Sequence, residues 1–259
     1  MSAVSYLNTV PLVWGMLHGE QRALFDLDFS LPSECADRLA SGQADIGIVP
    51  SAEVPRLGLE IIPGAGIASR GAVRSVLVVS KVPPATIRVL AADTSSRTSV
   101  QLARILLARR YNARPEFVPF RPDLGAMLEA TDAALIIGDP ALRVALDHSP
   151  YQILDLGSEW TAATGLPMVF AVWGARKDCY TPDLARPFLE SCRYGLAHME
   201  DIVRVESRSR DLPEESVREY FARNVVLELG EEEYRGLRLF LRLVGELGTL
   251  ESTEAATAR

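Results

Sequence analysis

Cysteine and histidine are scarce in this chain of 259 residues, at three each. Cys35, Cys179 and Cys192 are an odd number, lie far apart and form no C-x-x-C, which argues against a disulfide framework and a thiolate zinc site. His18, His148 and His198 stand singly, none at metal-ligand spacing, so each reads as a surface or cap histidine. There is no G-x-S-x-G, no H-E-x-x-H and no P-loop, and with them go the commonest hydrolase, metalloprotease and nucleotide-phosphate signatures. Gly64-Ala65-Gly66-Ile67-Ala68-Ser69 comes near a dinucleotide fingerprint but lacks the third glycine and is followed by a strand-like run; it reads as a turn. No apolar run reaches the roughly 18 residues of a membrane span. The N-terminus lacks the charged region and long apolar core of a secretory signal, so a cytoplasmic protein is expected. Basic residues (27) fall short of acidic ones (34), and the net charge of −7 discourages nucleic acid and anionic membranes as partners. An anionic small molecule is still compatible, since a basic pocket can sit inside an acidic protein.

What the chain does have is an ordinary soluble composition, 48% hydrophobic and 24% charged, in a length that suits one large domain or two small ones. Its most informative stretch is Asp93-Thr94-Ser95-Ser96-Arg97-Thr98-Ser99. Before it, residues 87–92 read as a buried strand; after it, Val100, Ala103 and Leu107 recur on one helix face. The first turn of a helix has unpaired N–H groups and partial positive charge, and can hold an anion. Hydroxyls add donors, and Arg97 can grip a carboxylate or phosphate with two parallel bonds. The plainer reading is a well-capped helix, since Ser and Thr are preferred caps; the surplus of donors over what one cap needs favours an anion site.

Along the chain, strands and short helices alternate, which implies mostly parallel sheets. A strand lies within Ala3–Tyr6, a helix spans Val10–His18, and alternation of Phe25, Leu27, Phe29 and Leu31 predicts a strand. Pro83-Pro84 breaks the pattern, and a second α/β run follows it to residue 173. From Lys177 onward the chain reads as helical, with a disordered Ala/Thr-rich tail from Ser252. Two apolar strands, 75–80 and 168–174, bracket the central run. This predicts an α/β, two-lobed architecture of the periplasmic-binding-protein type (type II), with two hinge strands: residues 1–82 plus 174–259 as a discontinuous first lobe and 83–173 as an inserted second one. A ligand would bind in the cleft between them.

Five ordered motifs carry a resemblance. They are Val4-Ser5-Tyr6-Leu7-Asn8-Thr9-Val10-Pro11-Leu12, Asp45-Ile46-Gly47-x-x-Pro50, Ser95-Ser96-Arg97-Thr98-Ser99, Ile137-Gly138-Asp139, and Trp160 with the run from Thr164 to Trp173. Together they resemble the chorismate dehydratase family of futalosine-pathway menaquinone biosynthesis, over roughly residues 3 to 180. The resemblance implies a binding-protein fold turned into a cytoplasmic lyase. It would remove water from chorismate to give 3-[(1-carboxyvinyl)oxy]benzoate, with chorismate as its small-molecule partner and no cofactor. The residues it implies are Asn8 and Ser75 as catalytic groups, with Ser96, Arg97, Thr98, Ser99, Ile137, Gly138 and Asp139 binding substrate.

The chemistry fits those residues. Chorismate carries two carboxylates and needs two anion sites: one at the 96–99 turn, the other at the helix start after Asn8. Aromatisation drives the loss of water, and the departing ring proton is vinylogous to the ring carboxylate, so donors on that carboxylate stabilise the developing charge. The motifs hold no histidine or lysine. Asp139, another acid, or the substrate's own side-chain carboxylate could take the proton; the last needs only positioning, which Asn8 and Ser75 can supply. Asn8 as a turn residue, Ser75 as a strand opener, Arg97 as a solvated helix charge, Asp45 and Asp139 as loop aspartates, and Trp160 and Trp173 as core are the plainer alternatives. A cleft-type binding protein without chemistry is the competing class, and the sister dihydroxynaphthoate-forming enzyme the competing enzyme.

Overall fold

The computed structural model describes residues 1–146 and 149–257, so His148 lies outside the described residues. The first lobe opens with strand β1 (Ser2–Val4), a single 3-10 turn at Leu7–Thr9 and helix α1 (Val10–His18). There follow β2 (Asp28–Ser30), α2 (Pro32–Ala40), β3 (Ile46–Pro50), α3 (Glu53–Leu57) and the ten-residue β4 (Glu60–Ser69). The second lobe holds β5 (Val76–Ser80), β6 (Val89–Asp93), α4 (Thr98–Tyr111), β7 (Glu116–Phe120), α5 (Leu124–Ala130), β8 (Ala133–Ile137), α6 (Gly138–Leu142), β9 (Gln152–Asp155) and α7 (Leu156–Thr164). The chain then returns as β10 (Met168–Ala175), α8 (Ala185–Ala197), α9 (Met199–Arg210), α10 (Glu214–Arg223), β11 (Val226–Glu228) and α11 (Glu231–Thr257).

Two sheets result, one per lobe: β11-β4-β10-β3-β1-β2 and β7-β6-β8-β5-β9. The expected α/β, two-lobed architecture is present. The sheets are mixed rather than mostly parallel, because β5 and β10, the strands that arrive from the other lobe, each run antiparallel to both neighbours. Neither is shared between sheets. Strand 76–80 belongs wholly to the second and 168–175 to the first, so the chain crosses at 70–75 and 165–167 rather than at 82/83 and 173/174. Pairing on both edges of each strand decides this, since it leaves both fully inside one sheet.

The central strands of both sheets are buried on two faces. Ile48, Leu77, Leu90 and Leu135 are fully covered, and each contributes about 1.5–3 kcal/mol by leaving water. Trp160 and Trp173 are core residues, packed edge-on against Phe240 and Phe188 respectively. Helix α8 packs on α1, while α11 lies over β10 and α4 and so touches both lobes.

Three local expectations need correction. Residues 64–69 are strand, not turn: β4 runs through them beside β10, and a Cβ on Gly66 would stand 2.8 Å from the Ala171 carbonyl oxygen, so glycine there serves close strand packing. The alternating segment 25–31 forms only a three-residue edge strand, with Phe29 46% and Leu31 40% exposed, because β2 pairs with a single neighbour and has no second layer over it. The tail from Ser252 continues α11 to Thr257, since Glu254, Ala255 and Ala256 extend a helix already nucleated upstream.

Candidate functional site

The interlobe cleft holds about 60 Å³ of free space, short of the roughly 300–1,000 Å³ usual for small-ligand sites, so a ligand needs the lobes to part. Its first-lobe wall includes Tyr6, Asn8, Pro50 and Phe170, and its second-lobe wall includes Ser75, Ser96, Arg97, Thr98, Ser99, Ile137 and Gly138. Eight of the nine sequence-predicted residues therefore meet at one cavity.

The β6–α4 turn is built by Asp93. Its Oδ1 accepts from the Ser95 amide at 2.9 Å and the Ser95 hydroxyl at 2.7 Å, a side-chain turn that swings the chain into the helix. Burial pushes the Asp93 carboxyl above its ordinary range, against the bonds from Ser95 and the Ile137 amide. No side chain caps α4. The hydroxyls of this turn are therefore not engaged in the capping role that was the plainer reading, and Ser96 Oγ is buried with no partner. Thr98 Oγ1 accepts the Ala52 amide of the first lobe at 3.2 Å.

Across the cleft, Asn8 sits in the 3-10 turn between β1 and α1. Its Oδ1 and the neighbouring Thr9 Oγ1 are likewise buried and unpartnered, and α1 too starts without a side-chain cap. Tyr6 spans the gap, its hydroxyl 3.2 Å from Ser95 Oγ. Burial pushes the Tyr6 phenol up to about 12, eased by Ser95 and reinforced by Asp93 and Asp139. The Tyr6 ring lies against Gly138, whose φ is +65° and where a Cβ would stand 2.6 Å from the ring, so only glycine fits there.

Ser75 ends the 70–75 crossing. It is 2% exposed, its carbonyl accepts the Gly138 amide at 2.8 Å, and its Oγ accepts from the Tyr220 hydroxyl at 2.9 Å. Asp155 pins the crossing from below: its carboxylate accepts from the backbone N–H groups of Val73, Arg74 and Ser158.

Two predicted residues stand differently from expectation. Arg97 borders the cleft, but its guanidinium bonds Glu53 and Asp37 of the first lobe, each at 2.7 Å, so its fork is filled by protein carboxylates rather than left open for a ligand. Asp139 does not line the cleft. Its Oδ1 accepts the Leu7 amide at 3.0 Å and its Oδ2 is paired with Arg210, which ties α6 to the first lobe. Tyr6, Glu53, Asp93 and Tyr220 were not anticipated. Tyr6 stands inside the Ser-Tyr-Leu-Asn motif, which was signal enough to single it out; Tyr220, at helical spacing with Val217 and Phe221, gives none beyond a core helix face. Among the described residues, no His, Cys, Asp and Glu side chains gather as a metal site, and no helix is long and apolar enough to cross a membrane.

A protein-family profile described as "Menaquinone biosynthesis" matches residues 1–246. A chorismate dehydratase of Thermus thermophilus is 28% identical over 260 residues, covering 93% of either chain. Another, of Campylobacter jejuni, is 25% identical over 92% of this chain and 94% of its own. The periplasmic aliphatic sulphonate binding protein SsuA of Escherichia coli superposes over 96% of this chain and 86% of its own, with a TM-score of 0.63 and 14% identity. The fold is thus periplasmic-binding-protein-like.

Proposed function

We propose that this chain, which belongs to the menaquinone-biosynthesis family over residues 1–246, eliminates water from chorismate in the interlobe cleft. The product is 3-[(1-carboxyvinyl)oxy]benzoate, on the futalosine route. The observation that carries the reading is the set of buried polar atoms without partners, Asn8 Oδ1 and Ser96 Oγ, on opposite walls of one cavity. Such atoms cost stability unless a ligand bonds them.

In this reading the ring carboxylate sits at the start of α4. The Ser96 hydroxyl and the uncapped first-turn N–H groups hold it and stabilise the charge that spreads into it as the ring proton leaves. The C–H bond at the carbon bearing the enolpyruvyl ether breaks, its electrons form the ring double bond, and the neighbouring hydroxyl departs; proton and hydroxide together make water. No Asp or Glu lines the cleft, and Asp139, the protein base considered above, has both oxygens bonded. The acceptor of the proton is therefore the substrate's own side-chain carboxylate. Asn8 and Ser75 align the substrate for that internal transfer, a positioning role whose effect on rate can be large. Arg97 contributes by holding the lobes together over the ligand. A soluble dicarboxylate substrate suits a cytoplasmic reaction.

The similarity to SsuA favours one second reading: a carboxylate-binding protein with no chemistry. Incubating the purified protein with chorismate, without added metal or nucleotide, and following the product by proton NMR separates the two. The expected result is a new aromatic spin system at the expense of the cyclohexadiene; saturable binding with chorismate recovered intact selects the binding protein.

A further inference from the structure

Tyr220 comes from α10, 145 residues beyond Ser75 in sequence, yet its hydroxyl ends against Ser75, one of the two residues assigned to alignment. It is 3% exposed and packs with Leu7, Val10 and Trp14 beneath the Asn8 turn. The donor direction is defined: the Tyr220 hydroxyl gives its one proton to Ser75 Oγ at 2.9 Å. Burial raises the phenol's pKa above its ordinary value, so the proton it gives to Ser75 stays on the phenol. Asn8 lines the same cavity, and its Oδ1 is buried without a partner.

We propose that Tyr220 is a positioning residue that fixes the hydrogen-bond direction of Ser75, so that Ser75 and the unpartnered Oδ1 of Asn8 together recognise a hydroxyl group. With the phenol proton on Ser75 Oγ, the Ser75 proton is turned toward the cleft and acts as donor. Asn8 Oδ1, buried without a partner in the same cavity, acts as acceptor. One donor beside one acceptor matches a group that accepts one bond and donates another. A carboxylate, which only accepts, would meet Oδ1 lone pair to lone pair; an ammonium, which only donates, would waste the Ser75 proton. On the proposed reading of the site, on which this inference rests, the matching group is the ring hydroxyl that leaves. Ser75 then donates to the oxygen as the carbon–oxygen bond breaks, stabilising the departing hydroxide before the ring proton joins it.

The test uses Tyr220→Phe, which keeps the ring in its packing, together with a chorismate analogue lacking the ring hydroxyl. For the parent, kcat and KM with chorismate and the inhibition constant of the deoxy analogue are measured. The expected result is that the deoxy analogue binds the parent about tenfold more weakly than chorismate. Tyr220→Phe should lower kcat at least about tenfold with KM within about threefold, and bring the affinities for the two compounds together. A purely structural role for Tyr220 would lower the melting temperature and leave that discrimination unchanged. Unchanged kcat in Tyr220→Phe, or equal binding of chorismate and the deoxy compound by the parent, overturns the inference. If Tyr220→Phe fails to fold, the comparison of the two compounds on the parent decides alone. If the parent binds chorismate without turnover, the lyase reading fails, and the inference stands or falls on the affinity comparison; if chorismate does not bind, both fail.

Discussion

A buried hydroxyl with no partner costs about 1–3 kcal/mol, and Ser96 carries one. Ser96→Ala should therefore leave the melting temperature of the free protein unchanged or raised, while weakening chorismate binding by about 1–2 kcal/mol. Calorimetry on both proteins checks this; a fall in melting temperature with unchanged affinity would return the residue to a structural role. Asp93 sets up a pH signature. Burial raises its folded pKa, so the folded state binds the proton more tightly than the unfolded chain does. Stability is then lost as pH rises from the ordinary Asp value, about 4, through the folded one. Asp93→Asn keeps the Oδ1 acceptor for Ser95 and cannot titrate. The parent's melting temperature should fall relative to Asp93→Asn as the pH is raised above about 4, and parallel curves would show that folding does not raise the carboxyl's pKa. At this scale the structure places Asn8, Ser75 and the 96–99 turn on one cleft; Asn8 and the turn stand in local motifs, and Ser75 opens a bracketing strand. The sequence misassigned the open fork of Arg97 and the exposure of Asp139, because Glu53, Asp37 and Arg210 reach them from distant elements.

The elements that aim the site are the two loops under it. Asp155 caps α7 and, with the same carboxylate, takes the N–H groups of Val73 and Arg74, immediately before Ser75. Removing it frees three backbone donors at once. Asp155→Ala should cost about 2–3 kcal/mol in unfolding free energy and lower kcat more than it raises KM, as Ser75 loses its fixed place. Urea unfolding and steady-state kinetics read the two effects separately; lost stability with unchanged kcat would detach the crossing from catalysis. Apolar runs and periodicity located β5, β6 and β10 and the helices α1 and α4, whose apolar positions are continuous or repeat cleanly. The same reading missed β9 and β11, edge strands of four and three residues respectively, and took 64–69 as a turn. In that segment small residues serve strand-to-strand contact, and glycine spacing alone does not distinguish that use from a turn.

For the whole molecule, the decisive feature is that the lobes are drawn together by named bonds across the cleft. Arg97 to Glu53 and Asp37, the Ala52 amide to Thr98, the Leu7 amide to Asp139, and Arg210 to Asp139 all join residues of different lobes. Two lobes were legible from the break at Pro83-Pro84 and the bracketing strands, but their joints were not. Strand membership depends on which edge finds a partner, and a sequence does not state that. Arg97→Ala should shift the free protein toward an open form, seen as a larger radius of gyration by small-angle scattering. Its KM for chorismate should rise by about five- to tenfold with little change in melting temperature, and added salt should move the parent the same way. An unchanged radius together with an unchanged KM would mean the ion pairs do not govern closure.

The central claim is that this cleft aligns a substrate that serves as its own base. The most direct measurement is the dehydration rate of a chorismate analogue whose side-chain carboxylate is replaced by hydrogen, set against chorismate at saturating concentrations of each. The account predicts that the analogue binds through its ring carboxylate and yields no aromatic product on the timescale of many chorismate turnovers. Dehydration of the analogue at a rate comparable to chorismate would contradict it, and would require a protein group to take the proton.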